Sequence, residues 1–252
     1  NISVVDGKNI GSLNHPDKVI IASHSSQHCN DFIAYKDDPF DILMEKPLFP
    51  YLSSFTALSD ERLESVFINL EFYNAYFITD FYEEIKALPV NKIEIVWHDP
   101  LCEERLLQEG KYSEIYSSIF MDQLLHVMSI CKMLDLDAKQ FRNIKVINKN
   151  LGNVKIHCDL NDTVITISLS RFADKRERRI ILNDGAVELD FCGKANVYED
   201  GEFRKEILPS GRLFPIAPTL KHFVNDTRTA SQLSLKSLMP VIEFCFDCDK
   251  GE

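Results

Sequence analysis

The first part of the chain alternates short apolar runs with polar loops. Residues 18–22 and 40–44 have the length and residue types of buried parallel strands. A polar loop follows each run, at residues 23–28 and 45–47, and residues 28–36 between them can form a short helix. The order of strand, loop, helix, strand and loop predicts a βαβ unit in an open α/β sheet.

The middle of the chain predicts two further strands and two amphipathic helices. Residues 66–72 and 92–97 alternate between apolar and polar side chains, as strands with one buried face do. Residues 73–88 carry apolar side chains at helical spacing and end at Pro89, and residues 116–136 carry a second stripe of this kind.

From residue 144 onward the pattern changes to short alternating runs, which lie at 145–148, 154–159, 163–170, 179–182, 186–191 and 195–198. Turn-forming pairs such as Asn161-Asp162 and Asp200-Gly201 separate them, so we expect an antiparallel sheet. Residues 220–224 and 231–244 are predicted to form closing helices. The predicted fold class is therefore a parallel α/β portion followed by an α+β domain with a large, mostly antiparallel open sheet.

Net charge, apolar runs and cysteines indicate which classes of partner the protein can bind. The chain has 252 residues with a formal net charge of -11, which argues against a phosphate-backbone footprint and hence against nucleic acid as a partner. It has no apolar run of about 18 residues, so we expect no membrane-spanning helix and no membrane partner. An odd number of scattered cysteines favours a reduced, cytoplasmic setting. Cys245 and Cys248 lack a second ligand pair, so we expect ordinary thiols and no metal.

Asp122 and His126 are the first candidates for chemistry. They stand four residues apart on a predicted helix, so both side chains project from one face. A carboxylate beside an imidazole fixes its tautomer and raises its basicity, which suits a general acid or base. The same spacing is also typical of an ordinary surface pair.

Two polar loops at the predicted carboxyl edge of the sheet are the next candidates. One is the segment from Ser23 to His28, and the other is Glu45-Lys46-Pro47. Ligands of open α/β sheets bind at this edge. A lysine there can polarise a hydroxyl, and Pro47 would stiffen the turn that directs Lys46. Taken alone, the tripeptide is equally typical of a solvated turn.

These groups, in this order, resemble the Gfo/Idh/MocA oxidoreductases. That family carries a Thr-Pro-x-x-x-His loop at a strand end, then Glu-Lys-Pro, and later Asp-x-x-x-His on a helix. Here the loop from Ser23 to His28 keeps the hydroxyl and the closing histidine but lacks the proline. Glu45-Lys46-Pro47 is intact, and the third motif reads Asp122-Gln-Leu-Leu-His126.

The resemblance implies two domains and a redox function. Residues 1–72 would be the C-terminal part of a Rossmann-like dinucleotide-binding domain, and residues 73–252 a substrate-binding and oligomerisation α+β domain. The cofactor would be NAD or NADP, and hydride would pass to or from a sugar-like or other small hydroxyl or carbonyl substrate, including a sugar or nucleotide sugar. Relatives of this type pair through the large sheet, so a homo-oligomer, either a dimer or a tetramer, is expected.

The resemblance also implies roles for individual residues. Lys46 would orient or polarise the reacting hydroxyl, His126 would take or return its proton, and Asp122 would support that histidine. The nicotinamide end of the cofactor site would be lined by Ser23, His28, Glu45, Lys46 and Pro47.

One departure from the family limits these implications. The family opens with a Gly-x-Gly-x-x-Gly turn that approaches the pyrophosphate, whereas the glycines before Lys46 are Gly7 and Gly11. About the first two βα units are therefore expected to be missing, and the chain alone is not expected to bind a dinucleotide tightly. Two alternatives remain open: a non-catalytic binding or regulatory relative that has lost the cofactor site, and an imine or tetrapyrrole reductase on the same fold.

Two further segments receive structural interpretations. Residues 175–179 are predicted to form a solvated hairpin between two strands, and a phosphate or nucleotide-sugar contact is the alternative for this basic segment. Trp97 is predicted to be a core residue.

Overall fold

The computed structural model describes residues 16–23, 25–46, 57–73, 75–105, 108–112, 117–147, 149–150, 152–207, 216–225 and 231–251. Within them the strands form a three-stranded, an eight-stranded and a two-stranded sheet. No helix in these ranges is long and apolar enough to cross a bilayer.

The three-stranded sheet is parallel, with the order β1-β2-β3. Its elements are β1 (Lys18–Ile21), α1 (Ser25–Tyr35), β2 (Asp41–Met44), α2 (Asp60–Ser65) and β3 (Val66–Ile68). The predicted βαβ order is confirmed. β3 is shorter than predicted because the chain turns at once after Ile68, whose carbonyl accepts from the amide of Leu70 at 3.0 Å.

The eight-stranded sheet follows, and its order is β13-β12-β11-β10-β4-β9-β8-β7. Its strands are β4 (Lys92–Pro100), β7 (Arg142–Ile147), β8 (Asn153–Leu160), β9 (Thr163–Ala173), β10 (Glu177–Leu182), β11 (Val187–Asp190), β12 (Asn196–Glu199) and β13 (Glu202–Glu206). Neighbouring strands are antiparallel except β4 and β9, which are parallel. The sheet is mostly antiparallel, as predicted. β13 and the small ribbon of β5 (Cys102–Arg105) and β6 (Gln108–Tyr112) were not predicted.

The helices after β3 bury side chains in two apolar clusters. α3 (Tyr76–Ile85), a π-helical turn (Phe120–Leu124), α4 (Leu125–Met133) and α6 (Leu235–Lys250) contribute buried side chains to the same core as the large sheet. α5 (Ile216–Asn225) packs Phe223 against Leu43 and Phe67 of the parallel sheet. Every second residue of β8 and β10 is buried, and the residues between them are partly or fully exposed. This alternation gives the large sheet a core face and an open face.

One continuous apolar core joins the two sheets. It includes fully buried residues of β2, β3, β9 and α6, such as Ile42, Ile68, Ile167 and Ile242. α6 packs against α2, α4 and the π-helical turn, so it spans from the parallel sheet to the large one. This shared core places the carboxyl end of β2 beside the π-helical turn.

Candidate functional site

An ion pair joins the second and third sequence motifs. Lys46 lies two residues beyond the end of β2, and its Nζ is 2.6 Å from Oδ1 of Asp122, 76 residues along the chain. The side chains of Lys46 and Asp122 are 31% and 16% exposed, so solvent reaches both groups. The structure therefore places the two predicted residues together at the carboxyl edge of the parallel sheet.

Arg171 is a second cation that contacts the carboxylate of Asp122. It lies on the core face of β9 with a buried side chain, its guanidinium is 3.3 Å from Oδ2 of Asp122, and it donates to the Ser117 carbonyl at 2.7 Å. Burial alone would raise the pKa of Asp122, but Lys46 and Arg171 outweigh burial and lower it. Burial would lower the pKa of Lys46, yet Asp122 raises it. Both groups are therefore charged at neutral pH.

The π-helical turn explains how Asp122 is aimed. The amide of Leu125 donates to the carbonyl of Phe120, five residues back, so this turn holds one residue more than an α-helical turn. Asp122 lies inside this turn, and His126 lies in the first turn of α4 that follows it. No hydrogen bond links the two side chains in the described part of the chain, and both carboxylate oxygens face cations instead.

His126 lies near the ion pair, in a buried pocket of aromatic side chains. It is 2% exposed, its ring stacks on Trp97 at 5.2 Å and 10°, and the edge-on ring of Phe72 is 5.9 Å away. Its Nδ1 is buried, with no hydrogen-bond partner among the residues that the structure describes. Burial, assisted by the charge of Lys46 and opposed by Asp122, lowers the pKa of His126 well below its ordinary value. The imidazole is therefore neutral at pH 7.

Arg178 forms the outer wall of this pocket. Its guanidinium carbon lies 3.8 Å from the centre of the Trp97 ring, and its Nη2 is 2.5 Å from Oδ1 of Asp99. Asp99 also accepts from Gln123 at 3.0 Å, which ties the wall to the π-helical turn. The solvated hairpin predicted for residues 175–179 is wrong, because β4 lies between β9 and β10 and the two strands do not pair. Arg178 enters β10 on the core face, where stacking and pairing satisfy its charge. Trp97 is buried in the core, as predicted.

The other predicted site residues follow β1 and β2, which are adjacent strands. His28 Nε2 lies 2.8 Å from the carbonyl of Ser23, so the first motif closes on itself. Glu45 Oε1 accepts from the amide nitrogen of Asn69, which follows β3, at 2.5 Å. Pro47 lies outside the described residues. The structure thus gathers polar groups from three strand ends at one edge.

Sequence reasoning missed several members of the site: Arg171, Arg178, Asp99, Gln123 and Asn69. A signal for Arg171 exists in the alternation of β9, where Ile165, Ile167 and Leu169 are buried and Arg171 occupies the next core-facing position. A cation in core register requires a buried partner. The partner, 49 residues away, cannot be identified from the strand itself.

Solved structures share this arrangement of sheets. A dehydrogenase from Chromobacterium violaceum matches with a TM-score of 0.71 at 14% identity, over 98% of this chain and 79% of that one. A myo-inositol dehydrogenase from Corynebacterium glutamicum matches with a TM-score of 0.66 at 13% identity, over 98% and 81%. A UDP-N-acetylglucosamine 3-dehydrogenase from Acidithiobacillus ferrooxidans matches with a TM-score of 0.59 at 14% identity, over 91% and 79%.

The chain has the Gfo/Idh/MocA oxidoreductase fold. No protein-family model and no curated protein sequence matches it. At identities this low, the likeness establishes the Gfo/Idh/MocA fold alone, and any activity has to be argued from the site.

The strand ends fit one part of the dinucleotide that the Gfo/Idh/MocA fold implies. The carbonyl of Ser23, the carboxylate of Glu45 and the amide of Asn69 are hydrogen-bonding groups, and Asn69 Oδ1 is buried with no partner in the described ranges. Such neutral and acidic groups suit the carboxamide end of a nicotinamide. From residue 16 to Lys46 the sequence has no glycine, so this region supplies no glycine-rich phosphate loop.

Proposed function

We propose that the protein is an NAD(P)-dependent oxidoreductase acting on a hydroxyl, or on the corresponding carbonyl, of a sugar-like molecule. The observation that carries the proposal is the 2.6 Å pair between Lys46 and Asp122, which stands partly open at the ligand edge of the parallel sheet. The myo-inositol and UDP-N-acetylglucosamine dehydrogenases of the same fold support the choice of a polyol or sugar substrate.

Lys46 is the group that contacts the reacting oxygen. Asp122 keeps the ammonium of Lys46 charged and fixes its direction. Among the described residues this ammonium has no other hydrogen-bond partner, so its remaining hydrogens can bind a substrate hydroxyl or carbonyl. A fixed cation in a partly desolvated site stabilises the negative charge that develops on this oxygen as the carbon changes oxidation state. Lys46 therefore orients and polarises the substrate.

His126 is the proton carrier. It is neutral, and its Nδ1 has no hydrogen-bond partner in the described part of the site, so the ring keeps an unused hydrogen-bonding position. A neutral imidazole can take the hydroxyl proton during oxidation and return it during reduction. Asp122 supports the positive ring electrostatically, since its charge opposes the lowering of the pKa of His126.

The chain's own residues would hold one end of the cofactor. Ser23 and Glu45 stand at the strand ends that would line the nicotinamide, together with Pro47 as the sequence implies. His28 lies in α1 and contacts the carbonyl of Ser23, so it would belong to the same lining. A nicotinamide dinucleotide, when bound, supplies or accepts the hydride. Residues 16–46 supply no glycine-rich loop for its phosphates.

The same proposal includes a domain boundary between residues 72 and 73, a cytoplasmic location and assembly into a dimer or tetramer. The two domains would share the continuous apolar core that joins the two sheets.

Calorimetric titration with NADH and NADPH tests the cofactor, using this chain beside a form extended upstream in its reading frame. Binding by either form supports the proposal. If neither form binds either nucleotide, the oxidoreductase proposal is wrong, and the non-catalytic alternative replaces it.

Turnover of polyols and nucleotide sugars tests the site. Lys46→Met should lower kcat/KM by about 100-fold or more, because an acid–base or polarising group contributes on that order. Lys36→Met is the matched control, since Lys36 also pairs with an aspartate but lies between the end of α1 and the start of β2, away from the carboxyl strand ends. Equal activities of the two variants would contradict the role of Lys46.

A further inference from the structure

Trp97 connects a buried arginine to the imidazole of His126. The guanidinium carbon of Arg178 lies 3.8 Å from the centre of the Trp97 ring, and the ring of His126 stacks on the same indole at 5.2 Å and 10°. The sheet register sets the first contact, because Arg178 of β10 is directly opposite Trp97 of β4 and both residues are buried. The indole therefore contacts a permanent cation and a titratable ring at once.

The guanidinium of Arg178 is held in one position. Its Nη1 donates to the carbonyl of His98 at 2.5 Å and to that of Glu177 at 2.9 Å, and its Nη2 donates to Oδ1 of Asp99 at 2.5 Å. The Arg178 side chain is only 8% exposed, so water screens its charge weakly. A cation fixed in this way acts on a neighbouring ring more strongly than an exposed one does.

The charge of Asp99 does not cancel that of Arg178. Asp99 Oδ1 is also 3.2 Å from Nε of Arg176, and Asp99 Oδ2 accepts from Gln123 at 3.0 Å. One carboxylate is thus shared by two guanidinium groups, which leaves an excess of positive charge beside Trp97.

The ion pair at the strand ends has a similar excess of cations. Asp122 faces both Lys46 and Arg171. Burial lowers the pKa of Lys46, but Asp122, the partly exposed Glu71 and Asp99 together raise it, so Lys46 stays charged. Each of the two carboxylates that contact arginine in this region therefore has two cationic partners.

These charges determine whether the ring of His126 can hold a second proton. Burial lowers the pKa of His126, Lys46 lowers it further against the opposing charge of Asp122, and Arg178 adds to the lowering. An imidazolium would also compete with the guanidinium for the indole of Trp97, whose ring attracts cations. The neutral ring has neither cost, and it is the form that accepts a proton.

We propose that Arg178 is a positioning residue for His126 and that, acting through Trp97, it holds the imidazole in place and keeps it unprotonated until a substrate hydroxyl supplies a proton. This inference rests on the proposed function, in which His126 carries that proton. During oxidation the hydroxyl proton passes to the ring, and Arg178 then favours its release to water. The ring is therefore neutral again before the next turnover.

NMR titration of the histidine rings tests the inference without substrate or cofactor. The Cε1–H signals of the histidine-labelled chain are followed against pH, and His126→Gln assigns the signal of His126. In Arg178→Gln the pH at which His126 is half protonated should rise by about 1 pH unit, because the removal of a nearby charge has an effect of that order. Arg178→Lys keeps the charge and should produce a much smaller rise.

Arg179→Gln is the matched control. Arg179 is the next residue of β10, and it pairs with Glu188 at 3.6 Å instead of contacting Trp97, so the titration of His126 should not change. Where turnover of a polyol or sugar is found, the acid limb of kcat/KM should move in Arg178→Gln by the same amount as the NMR titration.

Three results would overturn the inference. One is an unchanged titration of His126 in Arg178→Gln. Another is an equal rise in Arg178→Gln and Arg178→Lys, because it would show that the lost packing matters and the charge does not. The third, which needs no variant to fold, is a His126 ring in the unaltered chain that is half protonated at or above about pH 6.5, the ordinary value.

The two proposals fail in distinguishable ways. The NMR titration judges the role of Arg178 in the absence of any ligand, whereas the titrations with NADH and NADPH judge the oxidoreductase function.

Discussion

Trp97 and His98 are consecutive residues of β4 that face opposite sides of the large sheet. On the core face, Trp97 stacks on His126, whose ring is 2% exposed. On the open face, His98 keeps 23% of its side-chain exposure and bonds to Ser168 and Glu177. One strand thus contributes to a buried site and to a partly exposed one, because side chains alternate across a sheet.

The two histidines show what each environment controls. His126 has a buried Nδ1 with no partner in the described residues, and burial keeps its ring neutral. Both nitrogens of His98 are hydrogen-bonded, so contacts with neighbouring side chains determine its tautomer. On the core face, burial determines the charge state of His126. On the open face, hydrogen bonds determine the ring orientation of His98.

The charged partners differ in the same way. Arg171 and Arg178 are buried, and each pairs with an aspartate, because an unpaired charge in the core costs several kcal/mol. Glu177, partly exposed, is shared by His98, Lys175 and Arg179 at 3.1 to 3.9 Å. Water screens such surface pairs, so they contribute little to stability.

Removing the buried guanidinium should produce the largest effect. Arg171→Met leaves Asp122 with Lys46 as its cation and the Ser117 carbonyl without its donor, so we expect about 3 kcal/mol less unfolding free energy. Urea unfolding at neutral pH measures this. Arg204→Met is the control, because Arg204 pairs with Glu199 on the exposed edge of the sheet, and it should cost less than about 1 kcal/mol. Similar losses of unfolding free energy in Arg171→Met and Arg204→Met would show that the buried ion pair stabilises the fold no more than the exposed one.

The neutral imidazole of His126 should produce the next effect, in the pH dependence of stability. Its folded pKa lies well below the ordinary value, so below about pH 6.5 the unfolded chain binds a proton that the folded chain does not. Stability is full above that pH and falls as pH decreases, by up to about 1.4 kcal/mol per pH unit. His126→Gln should lose this part of the slope.

His98→Gln is the matched control for the pH dependence. The remaining histidines are present in the parent and in both variants, so they contribute equally to the pH dependence of stability in all three proteins. The difference in slope between the parent and His126→Gln therefore reports His126 alone. An unchanged slope in His126→Gln would show that the ring is not held neutral by burial.

The fold could be predicted largely from local patterns. Two-residue alternation identified most strands of the large sheet, and apolar runs followed by polar loops identified β1 and β2. β13 escaped because its sequence from Glu202 to Glu206 is mostly charged, with five partly or fully exposed residues and no alternating pattern. Its pairing with β12 comes from the turn at Asp200 and Gly201, which the sequence does show.

The site could be predicted only in part, for two physical reasons. Motif order pointed to Lys46, Asp122 and His126, which the structure places around one region. The π-helical turn adds a residue that periodicity cannot reveal, so Asp122 points to Lys46 and Arg171. Long-range pairs, such as Arg178 with Asp99 79 residues away, depend on tertiary packing.

The smallest expected effect on stability comes from the open face. Glu177→Gln should change the unfolding free energy by less than about 1 kcal/mol, because its ion pairs are partly exposed and screened. Glu188→Gln is the control, because Glu188 pairs with Arg179 at 3.6 Å, and it should also change the unfolding free energy by less than about 1 kcal/mol. A large loss of stability in Glu177→Gln alone would reverse the comparison, because it would show that the hydrogen bonds among Ser168, His98 and Glu177 stabilise the fold.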